Sequence, residues 1–147
     1  MLRILVVDDE PDVEALFRQQ FRRELRDHQC TLDFALSAEA ALLKLDDAVA
    51  GEVILLVSDI NMPGMSGLDL LPLVKARRPD LPVFMISAYG DGATMAQAAA
   101  RGASRFLTKP VDFPFLKQQV GAVLAEARGA PPQRSTGAPP PRANGAT

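Results

Sequence analysis

Asp8, Asp9, Asp59 and Lys109 stand at or just beyond the ends of three short apolar runs, Ile4-Leu5-Val6-Val7, Val53-Ile54-Leu55-Leu56-Val57 and Phe106-Leu107. Runs of that length suit buried strands. If the strands are parallel neighbours, the charged residues meet at one edge of a sheet, and ligands of open α/β sheets bind outside the carboxyl ends of the strands. Carboxylates a few ångströms apart raise one another's pKa or require a cation. The pattern therefore implies a bound metal ion. With one cysteine and one histidine the chain has no Cys/His cluster for zinc, so the ion must be held by oxygen.

The elements that must position these charges follow a regular alternation. After Val7, the cluster Asp8-Asp9-Glu10-Pro11 reads as a helix start, with Pro11 suited to the first helical position and the acids favoured by the helix dipole. Val13, Leu16, Phe17, Phe21 and Leu25 then recur at helical spacing. Arg18, Arg22, Arg23 and Arg26 fall largely on other faces, giving a basic outer surface able to meet an acidic partner. Residues 31–36 alternate apolar and polar, Leu32, Phe34 and Leu36 against Thr31 and Asp33, as in a strand at a sheet edge. Ser37 is placed to cap a helix with the stripe Ala38, Ala41, Leu42 and Leu45, ahead of the fully apolar strand 53–57.

A turn-rich loop, residues 61–67, precedes a leucine-rich helix to about Arg78 that contains Pro72. Proline there predicts a kink or a late helix start. A strand over 83–86, an alanine-rich helix from about Asp91 to Arg101 ended by Gly102, a short strand at 105–107 and a last helix from near Asp112 complete the pattern, with Leu116, Val120, Val123 and Leu124 turned inward. Strands alternating with helices five times over argue a parallel α/β sheet with right-handed crossovers.

Composition narrows the function classes. A chain of 147 residues suits one domain with a proper core. Hydrophobic residues at 48% and charged ones at 23% are globular values, and no apolar run reaches the roughly 20 residues that span a bilayer. No apolar leader with a small-residue cleavage site opens the sequence, which reads as cytoplasmic, without membrane contact. From Gly129 onward there is no Val, Ile, Leu, Met or aromatic residue, so residues 129–147 read as a disordered tail beside a folded domain of residues 1–128. Removing the tail's two arginines takes the formal charge from −2 to −4 for the folded part. The tail's arginines are too few for a nucleic-acid footprint. His28, in the polar loop Arg26-Asp27-His28-Gln29, reads as a solvated residue, and Cys30 as partly buried packing.

Taken together, Ile4-Leu5-Val6-Val7-Asp8-Asp9-Glu10-Pro11, Ser58-Asp59-Ile60-Asn61-Met62-Pro63-Gly64-Met65-Ser66-Gly67, Ile86-Ser87-Ala88 and Thr108-Lys109-Pro110 resemble the receiver domain of bacterial two-component response regulators, of the single-domain chemotaxis-regulator kind. The resemblance implies a flavodoxin-like (βα)5 fold with a five-stranded parallel sheet of order 2-1-3-4-5 and helices on both faces, a fold for which the chemotaxis receiver is a standard example. It implies that Asp59 is the phosphoacceptor, a carboxylate nucleophile that takes a phosphoryl group from a sensor histidine kinase or phosphotransfer protein. Its place after the most apolar, hence central, strand suits in-line attack once a cation offsets repulsion.

Mg2+ fits that role, because it prefers hard oxygens and binds through one or two carboxylates, waters and substrate phosphate. Asp9, Asp59 and the backbone carbonyl of Asn61 are expected as direct ligands, with Asp8 reaching through water. Lys109 is expected to pair with Asp59 before reaction and with a phosphoryl oxygen afterwards. The family's bond before Pro110 is usually cis. Ser87 and the backbone N–H of Ala88 are expected on the phosphoryl group, with Ser87 and Phe106 forming the switch. Phe106 lacks the phenolic hydroxyl that a tyrosine would offer a partner. Tyr89 and Met62 are expected beside the site, where they could govern access of water.

Each feature alone has a plain structural reading: Asp-Asp-Glu-Pro as a helix cap, Asp59 as a cap of the next helix, Ser87 as a strand-end hydroxyl. Their joint order decides in favour of a site. The leading function is thus a phosphorylation-switched signalling protein rather than an enzyme, acting on a protein effector. Two alternatives compete with it. A degenerate receiver would serve as a constitutive scaffold. A phosphatase of the haloacid dehalogenase type also uses aspartate and magnesium, but its Asp-x-Asp signature is missing from the first strand, where the two acids are adjacent.

Overall fold

The computed structural model describes residues 2–47, 52–88 and 90–129. The chain runs β1 (Arg3–Val7), α1 (Asp12–Gln20), α2 (Arg22–Arg26), β2 (Thr31–Ala35), α3 (Ala38–Asp47), β3 (Val53–Asp59), α4 (Gly67–Arg77), β4 (Val83–Ser87), α5 (Gly92–Ala100), β5 (Arg105–Thr108) and α6 (Phe113–Ala127). All strand pairs are parallel and the sheet order is β2-β1-β3-β4-β5. This is the parallel α/β sheet that the alternation of strands and helices predicts, in the flavodoxin-like order that the resemblance implies. β2 lies at an edge, and β3, whose seven residues are all buried, lies at the centre. The reading of the tail beyond Gly129 falls outside the described residues. None of the described helices is long and apolar enough to cross a membrane.

Two cores cover the two faces. Alternate strand residues point to opposite sides of a sheet. Leu5, Val7, Leu56 and Met85 meet Ala38 and Ala41 of α3, Leu70, Leu71 and Val74 of α4 and Ala98 of α5. Ile4, Val6, Leu55, Val57 and Phe84 meet Phe17 and Phe21 and, from α6, Leu116, Val120 and Leu124. The register between β1 and β3 slips by one residue between Arg3 and Ile4, so Ile54 and Leu55 are both packed in the second core. A bulge of this kind resets which face every later residue meets, and it fixes the phase of the strand up to Asp59.

Several local expectations are corrected. The first helix is interrupted at Phe21, although the hydrogen bonds Phe21 N–H to Phe17 O and Leu25 N–H to Phe21 O carry the helical ladder through the break. Leu16 is 43% exposed despite its helical spacing, because the buried stripe of α1 runs through Phe17 instead. Leu36 lies one residue beyond β2 and is 56% exposed; Ala35 is the buried residue there. Cys30 is fully rather than partly buried.

Pro72 does not delay α4, which begins at Gly67 with the Ser66 hydroxyl accepting the Asp69 N–H. Proline removes the bond that the Leu68 carbonyl would have accepted. That carbonyl accepts instead from Arg101 Nη1 at 2.8 Å, and the same nitrogen lies 3.5 Å from Asp69 Oδ1. Gly102, at φ +106°, then turns the chain out of α5 as the sequence predicts.

Candidate functional site

Three strand ends build the site. Asp59 ends central β3 and is buried, with the Ser58 hydroxyl donating to its backbone carbonyl at 2.9 Å. Asp8 and Asp9 follow β1 directly, and the Asp8 N–H is held by the Ala35 carbonyl of β2 at 3.1 Å. Lys109 follows β5, its N–H donating to the Ser87 carbonyl at 2.9 Å, and the Lys109–Pro110 bond is cis as the resemblance implies. Counting by twos, Asp8 continues Ile4 and Val6, Asp59 continues Leu55 and Val57, and Lys109 continues Leu107, all residues of the α1–α6 core. Strand parity thus delivers Asp8, Asp59 and Lys109 to the same side of the sheet edge.

One carboxylate oxygen from each of Asp8, Asp9 and Asp59 lies within 4.8 Å of the others. Lys109 Nζ is 3.1 Å from Asp59 Oδ2. Burial pushes the Asp8 carboxyl above its usual range. The hydrogen bond from the Glu10 N–H and the charge of Lys109 act against this, while Asp59 and Asp9 add to it. Burial alone would pull the Lys109 ammonium down, but its hydrogen bond to Asp59 and the charges of Asp59, Asp8 and Glu10 raise it instead. One ammonium therefore faces three carboxylates. An all-oxygen donor set with surplus negative charge fits a hard divalent cation.

Of the remaining predicted residues, Asn61 and Ser87 join this centre. The Asn61 N–H donates to Asp59 Oδ1 at 3.3 Å, and the Asn61 side-chain oxygen accepts the Ser87 hydroxyl at 3.1 Å. Ala88 is exposed just beyond β4. Phe106 is half-buried against the α3–α4–α5 core, the side opposite Lys109, so the two supposed switch residues share the face of Met85. The Met62 side chain is buried in that same core, where apolar burial outweighs exposure at a loop. Tyr89 lies outside the described residues.

Sequence reasoning missed three contributors. Glu10, read only as part of a helix start, lines a cavity of about 310 Å³ with Asp8, Lys109, Leu16, Pro110 and Phe113. Ser58 anchors the Asp59 backbone, which a serine inside an apolar run could have signalled. Gly67 packs so closely that a β-carbon there would collide with the Asp59 carbonyl oxygen and come within 2.8 Å of the Met85 methyl. Its N–H also donates to the Ile60 carbonyl at 2.9 Å.

The family model for the response regulator receiver domain matches residues 4–121. The chain belongs to that family. The receiver is 36% identical over 133 residues to the response regulator protein PilR of Pseudomonas aeruginosa, covering 88% of this chain and 28% of PilR. It therefore spans little more than a quarter of that relative's length. It is 33% identical over 132 residues to the chemotaxis protein CheY of the same organism, covering 87% of this chain and all of CheY. Among solved structures it is similar to the response regulator protein TrrA of Thermotoga maritima in complex with Mg2+ and BeF, with a TM-score of 0.68, 31% identity and 84% of this chain covered against 99% of that one.

Proposed function

We propose that this receiver, residues 1–128, accepts a phosphoryl group on Asp59 from a phosphohistidine of a sensor histidine kinase or phosphotransfer protein, and passes the signal to a protein effector. The observation that carries the reading is Asp59 itself: the one buried carboxylate of the cluster, at the end of the central strand, already paired with an ammonium at 3.1 Å. In the transfer an Asp59 oxygen forms the new P–O bond as the P–N bond to the donor imidazole breaks. Asp8, Asp9, Asp59 and the Asn61 carbonyl would hold Mg2+, which supplies charge neutralisation when bound.

Lys109, next to the acceptor oxygen, would exchange its partner from the carboxylate to a phosphoryl oxygen. The Ser87 hydroxyl would leave Asn61 for the phosphoryl group, with the Ala88 N–H beside it, and Phe106 would repack in response. In this reading the domain assists its own phosphorylation and dephosphorylation without being an enzyme for another substrate, and it works in the cytoplasm.

Incubation with Mg2+ and acetyl phosphate should add the mass of one phosphoryl group to the intact protein and none to Asp59→Ala. An unchanged wild-type mass, together with no spectral response to beryllofluoride, would sink the proposal and favour a constitutive scaffold.

A further inference from the structure

The interrupted first helix brings a second set of charges together, away from the acid cluster. Gln19 and Gln20 end α1, Arg22, Arg23 and Arg26 lie on α2, and Lys117 reaches across from α6; these six line a groove of about 190 Å³. Four are cations, two are amides and none is a carboxylate. Only two of the cations form ion pairs among the described residues. Lys117 Nζ is 3.2 Å from Glu24 Oε2, and Arg26 lies 3.6 Å from Asp27 across a largely exposed pair. Arg22 and Arg23 form no ion pair among the described residues. The groove is thus a concentrated positive site on a chain whose formal charge is −2.

From this we propose that the groove docks an acidic segment of a partner protein. Guanidinium groups recognise carboxylates through paired hydrogen bonds, and the two glutamine amides could donate to the backbone of such a segment. Other anions fit less well. Single-stranded nucleic acid is held by exposed aromatic platforms as well as cations, but the one ring here, Phe21, is buried beneath Lys117, whose ammonium lies 5.9 Å from its centroid. A membrane surface would require apolar side chains beside the basic ones, whereas Phe17 and Phe21 are turned into the core. The chain's own residues 130–147 are excluded as occupant, since they contain two arginines and no Asp or Glu.

The test is fluorescence anisotropy with a dye-labelled hexaglutamate peptide at low salt, with wild type, Arg22→Glu/Arg23→Glu and Arg22→Ala/Arg23→Ala. Circular dichroism would confirm that both variants fold. The charge reversal should weaken binding by roughly tenfold or more and the alanine pair by less, with wild-type binding fading in high salt. Asp59→Ala should bind like wild type, which separates this surface from the phosphoacceptor reading. Unchanged binding by the charge-reversed form would overturn the proposal. So would tighter binding of an oligothymidylate or of phosphatidylglycerol vesicles, or a wild-type dimer in sedimentation that the charge reversal dissolves.

Discussion

Two Lys–Asp pairs in this protein have the same nitrogen–oxygen distance, 3.1 Å, and different physical settings. Asp33 on edge strand β2 meets Lys44 of α3, with 32% and 41% of their side-chain surfaces exposed. Asp59 on central β3 meets Lys109 with only 4% of the aspartate side chain exposed and two further carboxylates alongside. Distance alone would equate them. Water still reaches both members of the first pair, and the Phe34 N–H also satisfies the same Asp33 oxygen, at 2.9 Å. For the second, solvation falls to Lys109, the Asn61 N–H and whatever cation the cluster holds. A charge that water no longer serves is one whose partner and chemistry the protein can set.

The comparison breaks most sharply on chemistry. Asp59→Ala should abolish phosphoryl uptake from acetyl phosphate, while Asp33→Ala should leave it intact, as intact-mass spectrometry would register; equal uptake by both would remove the distinction. Next in size is the support beneath the buried member. Gly67→Ala places a methyl group against the Asp59 carbonyl, and overpacking of this sort should cost about 1–3 kcal/mol in urea unfolding. A loss no larger than that of an exposed glycine would show that the loop yields freely.

The acidic neighbours give a smaller effect with a definite sign. The folded-state pKa of Asp8 lies above its ordinary value of 3.8, chiefly through burial. As pH rises through the interval between those values, the unfolded chain has released its proton while the folded one retains it, so stability falls across the interval and stays lower above it. Asp8→Asn should therefore gain stability relative to wild type as pH rises towards neutrality, and added Mg2+ should raise the wild-type melting temperature more than that of the variant. A gap between the two proteins that narrows with rising pH would contradict this. The smallest effect belongs to the half-buried edge pair: Lys44→Ala should change stability by at most about 1 kcal/mol, because ion pairs that water still reaches contribute little. A larger loss would mean that the edge pair and the buried pair are alike after all.

Much of the site was legible because its residues sit at strand ends, and strand ends are visible as the limits of apolar runs. Asp8, Asp9, Asp59 and Lys109 are of that kind. Ser87 and Asn61 were legible from order along the chain, but their mutual hydrogen bond was not, since 26 residues separate them. The burial of Met62 was not legible, because a loop methionine carries no sign of which way it points. Arg101 gave no signal at all: its bond to the Leu68 carbonyl answers a gap opened by Pro72, and such a partner is found only when two helices lie side by side. Arg101→Ala should reopen that gap.

By itself the sequence determined the alternation of strands and helices, the parallel sheet, the central place of the strand that carries Asp59, and the identity of the charged cluster. Those features depend on periodicity, apolar run length and local turn chemistry, which are properties of neighbouring residues. Tertiary structure alone decided the bulge that sets the phase of β3, the exposure of Leu16 and Leu36, the burial of Met62, and the difference between Asp33 and Asp59. It also gathered Arg22, Arg23, Arg26 and Lys117 into one groove. Each of these depends on what a distant segment covers or leaves to water, and no local pattern records that.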